Sequence, residues 1–367
     1  MKILLFINNL NIGGAQTQIV NLAIGLKKKV EEVCMVTYFD ENQYLDKLDK
    51  ANIEVVNLKK SGKIDIMLSA RLAKLCRSKA IDCVIAYQQK PSFYALVSKV
   101  LFGNRASIIV SERTYESGVP KFDKLITRNL YSFASAIVAN SYHQAEILRE
   151  KNKSWRNNVN VIYNGLDEEF FDKDQMNSGN TILSVGRVDP IKNLEKIIEA
   201  LSILKKEKIP FRYKWVGESF SKKFKDHYDY RLKIDELIKS NDLENEWEWH
   251  PKTPEIKKHY RDAEILIHFS KGEGFPNVIM EGMASGLCVF ASDVGDHHRI
   301  LNDQFNGYLC PPEDSTLLAN KLKVFLALEK KEQDQIKSNA VNSARTLFSK
   351  EKLIEEYYNL TNQTVKK

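Results

Sequence analysis

The chain has 367 residues, 43% of them hydrophobic and 28% charged, a composition that excludes collagen-like, disordered and disulfide-framed proteins. Its five cysteines are scattered, without a CxxC pair, which argues against a zinc site and predicts reduced core residues. The net charge of +7 lies in the first half, because residues 1–168 hold 24 Lys or Arg against 16 Asp or Glu.

The basic first half limits the partners to consider. Such a surface suits an anionic membrane, a phosphorylated acceptor or a nucleic acid, and a plain solvated surface is the alternative. No nucleic-acid motif accompanies the charge, so nucleic-acid binding is not expected. The first apolar run, Ile3 to Ile7, is too short for a signal peptide or a membrane span. We expect a cytoplasmic protein, peripheral to the inner face of the plasma membrane if the basic surface meets lipid.

The first half alternates between strand and helix patterns. Apolar runs predict strands at 2–9, 31–39, 53–58, 82–88, 106–112 and 136–141. Apolar residues at helical spacing predict helices at 15–29, 64–79 and 92–102. This alternation predicts an α/β fold with a parallel, doubly wound sheet.

The same pattern restarts after a polar stretch at 166–180, which we interpret as an interdomain linker. Strands are predicted at 181–186, 211–217, 246–250, 264–270, 287–292 and 307–310. Thr253 and Pro254 mark a helix start, as N-cap and first residue, and the chain reads as helical from Asp314 almost to its end. The length also favours two domains, expected at 1–168 and 169–345, with a helix at 346–367 returning to the first.

The most informative stretch is "KGEGFPNVIMEGMASG", residues 271–286. It places Glu273 in a loop after a strand and Glu281 in a helix that Pro276 begins and Gly286 ends. Free amides at a helix start suit a phosphate, whereas carboxylates suit hydroxyl groups. The arrangement fits a ligand with a diphosphate in the middle and a sugar at each end, a nucleotide sugar. Two solvated carboxylates are the alternative from spacing alone.

This stretch resembles the E-x7-E motif of the retaining glycosyltransferases of family 4, and the resemblance spans nearly the whole chain. It implies the GT-B fold, two tandem Rossmann-like doubly wound domains that face each other across a cleft. It also implies that Glu281 binds the ribose and that Glu273, a catalytic residue, contacts the transferred sugar. The rest of the donor site is then expected to be formed by Gly274, Phe275, Pro276, Asn277 and Val278.

A second loop, "GRVDPIKN" after the strand at 181–186, holds Gly186, Arg187 and Lys192. Two cations converging there offset the charge of a diphosphate, with ordinary surface cations as the alternative. At this place the family carries a Gly-Arg pair and, five residues further on, a lysine, and this pattern binds the diphosphate. The resemblance therefore implies catalytic roles for Arg187 and Lys192. It also implies that no metal is required. The triplet Asp172-Lys173-Asp174 falls in the linker and is interpreted as linker charge, not as a metal site.

Gly13 and Gly14 lie between the first strand and its helix. They do not form the GxGxxG fingerprint, so NAD and FAD are not expected. Paired glycines let a ligand approach the backbone, and a plain tight turn is the alternative. The resemblance implies that both lie beside the donor phosphates and the acceptor.

The acceptor side is where this sequence departs from the family. Many relatives have a cleft histidine near the loop "VSERTYESG", where this chain offers Glu112 and Arg113. We assign these two residues to the acceptor side, since His143 is a helix residue and a poor substitute. Relatives often have a glutamate where Arg299 stands here, which bears on discrimination among donors or acceptors. The turn Asn164 to Asp167 matches a family motif, and its expected role is structural.

The segment 120–135 is basic on one predicted helical face and apolar on the other. Lys121, Lys124 and Arg128 fall on one helical face, and the other face carries Phe122, Leu125, Ile126 and Phe133. The two interpretations are a soluble amphipathic helix on its core and a contact with the anionic leaflet that holds a lipid-linked acceptor.

The predicted function is retaining transfer of a sugar from a nucleotide sugar, most simply a UDP-sugar, to a glycan or polyprenyl-diphosphate-linked acceptor. The resemblance implies cell-surface polysaccharide synthesis, such as capsule or O-antigen, and front-face attack without an enzymic base. No cofactor is predicted. Two alternatives remain from the residues: a non-catalytic nucleotide-sugar-binding partner of an assembly complex, and a sugar-nucleotide epimerase built on the same two-domain plan.

Overall fold

The computed structural model describes residues 1–11, 13–113, 127–171, 180–218 and 225–366. The chain divides into two compact units, Met1–Gly165 with Lys350–Lys367, and Leu166–Ser349. Each unit contains one parallel sheet covered by helices. The triplet 172–174, together with Lys121 and Lys124, lies outside the described residues.

The first unit is built on a seven-stranded sheet with the order β3-β2-β1-β4-β5-β6-β7, and every neighbouring pair is parallel. Its central strands are buried on both faces, which is why they read as continuous apolar runs in the sequence. The strands are β1 (Lys2–Phe6), β2 (Glu32–Thr37), β3 (Glu54–Asn57), β4 (Cys83–Tyr87), β5 (Ser107–Glu112), β6 (Ala136–Ala139) and β7 (Val159–Val161).

Helices connect these strands and form the outer layers. In the described ranges, the helices of this part of the chain with both ends defined are α1 (Gly14–Lys27), α2 (Leu45–Asp49), α3 (Ile66–Ser78), α4 (Gln89–Phe102) and α5 (Tyr142–Lys151). One face of the sheet forms an apolar core with α3 and α4, and the other with α1. Helix α4 begins three residues before the predicted start at 92.

The second unit repeats the plan with six parallel strands in the order β10-β9-β8-β11-β12-β13. Its strands are β8 (Thr181–Val185), β9 (Arg212–Glu218), β10 (Trp247–Pro251), β11 (Ile265–His268), β12 (Cys288–Ser292) and β13 (Tyr308–Cys310). Its helices are α6 (Leu194–Lys206), α7 (Lys225–Ser240), α8 (Ile256–Arg261), α9 (Asn277–Ala284), α10 (His297–Ile300), α11 (Ser315–Ala327) and α12 (Lys330–Phe348). The predicted two-sheet α/β architecture is confirmed.

The start of α8 differs from the sequence prediction. The helix begins at Ile256, after an N-cap at Glu255, and not at Pro254. The hydroxyl of Thr253 accepts a hydrogen bond from the amide of Glu255 at 3.0 Å, so it stabilises the turn that precedes the helix. Gly286 follows α9 with φ +76°, the left-handed conformation that the predicted helix end requires.

The last helix, α13 (Lys350–Val365), belongs to the first unit, and Ser349 separates it from α12. Its buried face contributes Leu353, Ile354 and Tyr357 to the same core as α1. The two helices approach so closely that a Cβ on Gly25 of α1 would lie 2.0 Å from Ile354 Cδ1.

The boundary between the units passes through the Asn164 to Asp167 turn. On its first side, the amide and carbonyl of Gly165 bond the side chain of Gln18, each at 2.8 Å. On its second side, the amide of Leu166 donates to the carbonyl of Phe348 at 2.7 Å. Each half of the turn is therefore anchored in its own unit.

The described part of the 120–135 segment contradicts the predicted faces. Arg128 was assigned to an exposed basic face, but its side chain is buried against Glu112, while Phe133 is half exposed. Arg128 points inward because the buried carboxylate of Glu112 needs a partner. Phe133 departs from the predicted apolar face because residues Leu130–Phe133 form a 3₁₀ helix, whose angular spacing differs from that of an α-helix. All five cysteines are buried and unpaired. Within the described ranges, no helix has both the length and the apolarity to cross a bilayer.

Candidate active site

The loop between β11 and α9 carries the two predicted carboxylates. Strand β11 ends at His268, Glu273 lies in the loop, and Glu281 lies in the second turn of α9. The helix packs tightly on its own strand, because a Cβ on Gly282 would lie 2.4 Å from Leu266 Cδ2. That contact fixes where the helix begins, and with it the loop that holds Glu273.

Glu273 is held through one of its two oxygens. Its Oε1 accepts from Lys192 Nζ at 2.5 Å, Ser270 Oγ at 2.7 Å and His268 Nε2 at 3.0 Å. Among the described residues, Oε2 has no protein partner. The carboxylate is thus oriented by three donors and keeps one oxygen for a hydroxyl group of a ligand.

The charges in this cluster follow from its contacts. Burial raises the pKa of Glu273, but the hydrogen bond and charge of His268 and the nearby Lys192 cation more than offset it, so the pKa lies well below its usual range. Burial, followed by the charge of Lys192, lowers the pKa of His268. At neutral pH we therefore assign an ionised Glu273.

Lys192 ends a 3₁₀ turn, Pro190–Lys192, that follows β8. Asp189 caps this turn by accepting the amide of Ile191 at 3.0 Å. The carbonyl of Ile191 then accepts the amide of Lys271 at 2.7 Å. This backbone bond joins the lysine loop to the glutamate loop and places the predicted cation beside the predicted acid.

Two glycines at the strand ends open space for this arrangement. Gly186, which follows β8, has φ +153°, and its carbonyl accepts from Trp215 Nε1 at 2.8 Å. Gly217 in β9 has φ +111°, and a Cβ there would lie 2.9 Å from the carbonyl oxygen of Gly186. Gly217 was absent from the predicted site, although its position at a strand end was a usable signal.

Arg187 follows Gly186 but does not join the cluster. Its side chain is 75% exposed, and a guanidinium nitrogen lies 3.8 Å from Asp189 Oδ2. Its role at a diphosphate therefore remains a prediction.

Glu281 is partly buried and bonds a tyrosine from another helix. Tyr260 of α8, which is fully buried, donates to Glu281 Oε2 at 2.8 Å. Burial raises the pKa of Glu281 to about 7, although the tyrosine bond acts in the opposite direction. Sequence reasoning missed Tyr260, since nothing in the spacing of the two helices predicts the contact.

The residues between the two glutamates form the end of the loop and the start of α9. Gly274, Phe275 and Pro276 lead into α9, whose first residues are Asn277 and Val278. The side chain of Phe275 is buried and makes an edge contact with Phe348, with ring centroids 5.9 Å apart. That side chain therefore supports the loop from within its own unit.

A second histidine extends the cluster beneath His268. His297 is fully buried, its ring centroid lies 5.6 Å from that of His268, and Nδ1 lies 2.6 Å from the carbonyl oxygen of Ser292. Because a carbonyl only accepts, Nδ1 carries the proton, and Nε2 has no partner among the described residues. Burial, then the charge of His268, lowers the pKa of His297 to about 3. Sequence reasoning missed both histidines, although His268 stands where a strand meets its loop.

In the first unit, the predicted glycines form the junction between β1 and α1. Gly13 is the N-cap of α1, with extended backbone, and Gly14 is its first residue. The carbonyl of Gly13 accepts both the amide and the hydroxyl of Thr17, at 2.9 and 3.0 Å. A Cβ on Gly13 would lie 2.6 Å from Gln16 Oε1, so the junction is compact.

Glu112 and Arg113, assigned to the acceptor side, have internal partners. Glu112 is 1% exposed, and its Oε1 accepts from Arg128 Nε at 3.2 Å and Tyr131 Oη at 2.7 Å. These contacts indicate a stabilising role for Glu112, and its acceptor role stays a prediction.

Arg113 donates to four partners. It bonds Ser111 Oγ at 2.8 Å, Tyr87 Oη at 2.9 Å and Tyr357 Oη at 2.7 Å, and it also bonds Asn164 Oδ1. The guanidinium lies over the Tyr87 ring, 4.5 Å from its centroid. Arg113 thus ties the end of β5 to the last helix of its unit.

Of the other sequence candidates, His143 lies in α5, and Arg299 is exposed on α10. In the described ranges, no group of three His, Cys, Asp or Glu side chains is arranged to hold a metal ion.

Comparisons with known proteins agree with this architecture. The family described as Glycosyltransferase Family 4 matches residues 12–170, and the one described as Glycosyl transferases group 1 matches residues 167–342. A Campylobacter jejuni protein, N-acetylgalactosamine-N,N'-diacetylbacillosaminyl-diphospho-undecaprenol 4-alpha-N-acetylgalactosaminyltransferase, is 26% identical over 365 residues, covering 94% of each chain.

Solved structures show the same fold. A glycosyltransferase from Rickettsia africae has a TM-score of 0.84 at 21% identity, over 100% of this chain and 98% of that one. HepE of Anabaena, in complex with UDP, has a TM-score of 0.83 at 20% identity, over 99% and 100% of the two chains. With family matches that together extend from residue 12 to residue 342, the chain is a transferase that belongs to glycosyltransferase family 4 and has the GT-B fold.

Proposed function

We propose that the second unit binds a UDP-sugar and that the enzyme transfers the sugar, with retained anomeric configuration, to a lipid-linked acceptor. The observation that carries the donor site is the geometry of Glu273, with three donors on Oε1 and Oε2 left for a ligand. A carboxylate in that state accepts hydrogen bonds from sugar hydroxyls and repels phosphate.

The choice of donor and acceptor is supported by the relatives. The Campylobacter jejuni protein is named for an acceptor that carries diphospho-undecaprenol, and the Anabaena structures contain UDP or UDP-glucose. For this chain we propose the same chemistry, a uridine diphosphate sugar and a polyprenyl-diphosphate-linked glycan, in the synthesis of a bacterial surface polysaccharide or glycolipid.

In the proposed mechanism, Lys192 stabilises the negative charge that grows on the departing diphosphate. Its Nζ lies 2.5 Å from Glu273 Oε1, so the cation stands beside the carboxylate proposed to contact the transferred sugar. Arg187 is the proposed second cation, and with both present no metal is needed. The departing phosphate oxygen takes the acceptor proton, so the reaction requires no basic side chain.

The test combines binding with turnover. Purified protein is heated with UDP, GDP, CDP and their sugars, and a ligand at about 100 times its Kd is expected to add about 2.7 kcal/mol of stability. The preferred donor is then incubated with a polyprenyl-diphosphate-linked acceptor, and the product anomer is read by NMR. Selective stabilisation by GDP or CDP would overturn the UDP assignment. Isomerised donor without acceptor would favour the epimerase, and binding without turnover the non-catalytic partner.

Glu281 is expected to make donor binding pH-dependent. Its pKa is raised to about 7 by burial, and ribose hydroxyls bond the ionised carboxylate more strongly than the acid. UDP-sugar affinity should therefore fall as pH drops below 7, by up to about tenfold per pH unit. Isothermal calorimetry with a UDP-sugar, whose diphosphate is esterified at both ends, measures this without titrating a terminal phosphate.

The Glu281→Gln variant is the control, and its affinity should vary little between pH 5 and 8. Wild-type affinity that stays flat over this range would contradict the ribose role of Glu281. The raised pKa of Glu281 affects folding stability in the opposite sense to donor affinity, because it favours the folded protein at low pH. The folded protein holds this proton more tightly than the unfolded chain, so this contribution to stability is lost as pH rises from the ordinary value of 4.5 to about 7.

A further inference from the structure

The first unit exposes a group of large apolar side chains around the loop that leads into α3. Phe39, Ile64, Ile66 and Met67 are each between 39% and 66% exposed. Elsewhere in the described ranges, exposed large apolar residues occur singly or as the pair Val100 and Leu101. Single exposed apolar residues are ordinary, whereas a grouped set marks an interaction surface.

These side chains belong to one surface because Lys60 links them. Its Nζ lies 5.9 Å from the centroid of the Phe39 ring and donates to the carbonyls of Gly62 and Lys63. Its amide donates to the carbonyl of Tyr38 at 3.1 Å. The residue next to Phe39 and the loop that carries Ile64 are thereby joined. We call residues 58–67 together with Phe39 the α3 loop surface.

The loop is held in place by a buried carboxylate. Asp65 accepts from the amide and hydroxyl of Ser61 at 2.9 and 3.0 Å, from Arg71 Nη2 at 2.7 Å, and from the amide of Leu68 at 3.2 Å. Arg71 also donates to the carbonyls of Leu58 and Lys59. The apolar side chains are therefore presented on an internally bonded loop, at the N-terminus of a helix.

The charges around the apolar group are mainly positive. Residues 58–67 contain Lys59, Lys60 and Lys63, while Asp65, the acid of this segment, is paired with Arg71. The acid next to Phe39, Asp40, accepts from the side chain of Asn57. Cations grouped with protruding apolar side chains suit an anionic lipid surface, where the apolar tips enter the headgroup boundary and the lysines meet lipid phosphates. A protein partner fits less well, because interface cores are depleted in lysine.

We propose that the α3 loop surface docks this enzyme on an anionic bilayer. The segment 120–135, for which membrane contact is one of two interpretations of the sequence, is not needed for this docking. Docking there would place the first unit at the surface that holds a lipid-linked acceptor, and that consequence rests on the proposed function. The contact between the α3 loop surface and the bilayer does not depend on the proposed function.

The test is sedimentation of the full chain with vesicles of phosphatidylcholine, alone or mixed with phosphatidylglycerol. The wild type should bind only the anionic vesicles, and added salt should weaken the binding. Ile64→Ser combined with Met67→Ser should lower the affinity at least tenfold. Lys59→Gln combined with Lys63→Gln should lower it about 25-fold, at about fivefold per lysine. Lys60 is left intact because it holds the loop.

The matched control combines Phe305→Ser with Val324→Ser, which removes two exposed apolar side chains from the second unit and should leave vesicle binding unchanged. Every variant should keep the wild-type thermal shift with the preferred nucleotide, so a failed donor assignment and a failed docking surface give different results. Equal binding to neutral vesicles, no vesicle binding by the wild type, or binding that survives both loop variants would each overturn the proposal.

Discussion

Replacing Glu273 by glutamine is expected to lower turnover roughly 10²–10³-fold. Glutamine keeps the shape of the side chain but removes the charge that Lys192, Ser270 and His268 converge on. The amide can also turn its nitrogen toward the sugar, in place of the accepting oxygen. The expected loss corresponds to about 2.7–4 kcal/mol, the usual cost of deleting one preorganised group at a reacting centre. Steady-state kinetics with donor and acceptor varied separately measures it.

Substituting Lys192, the ion-pair partner of Glu273, tests whether the two side chains act together. Lys192→Met should lower turnover to a similar degree, and the double variant should lose less than the product of the two single losses, because the two side chains share one contact. Lys196→Gln, a lysine change on the neighbouring helix that loses only an exposed pair with Glu199, is the matched control and should keep wild-type turnover. Turnover that is unchanged in Glu273→Gln would remove this carboxylate from the mechanism.

The sequence was informative about this site because its residues lie where strands end. Glu273, Arg187 and Lys192 each follow a strand of one parallel sheet, so their loops meet at the same edge. The sequence does not predict that Lys192 contacts Glu273 directly, because the two residues lie in different loops, 81 positions apart. The sequence does not identify His268 as a site residue, because a lone polar residue at the end of an apolar run forms no spacing pattern.

In the fold, too, the features that depend on neighbouring residues in the sequence were predicted, whereas contacts between distant residues were not. Within the described residues, twelve of the thirteen strands coincide with predicted apolar runs, because parallel strands buried on both faces are continuous in sequence. The missing one, β7, is the short edge strand Val159–Val161 with a polar residue at its centre, and it has no such run. The bond between Tyr260 and Glu281 depends on packing between two helices, and neither helix encodes it alone.

Arg128→Ala is expected to destabilise the first unit by about 3–5 kcal/mol, the usual cost of leaving one member of a buried ion pair without its partner. Both side chains are almost fully buried, at 7% and 1% exposed, and Arg128 Nε lies 3.2 Å from Glu112 Oε1. Tyr131 would remain as a donor to the carboxylate, but a neutral hydroxyl does not balance its charge. Chemical denaturation, compared with the wild type, measures the loss.

The double variant Glu112→Gln with Arg128→Met separates stability from acceptor binding. It removes both charges at once, so it should recover most of the stability lost in Arg128→Ala. If Glu112 only supports the fold, the double variant keeps the wild-type KM for the acceptor, because no group that touches the acceptor has changed. If Glu112 binds the acceptor, that KM rises while the KM for the donor stays constant. A stable double variant with a raised acceptor KM would therefore assign Glu112 to the acceptor site, although its side chain is 1% exposed.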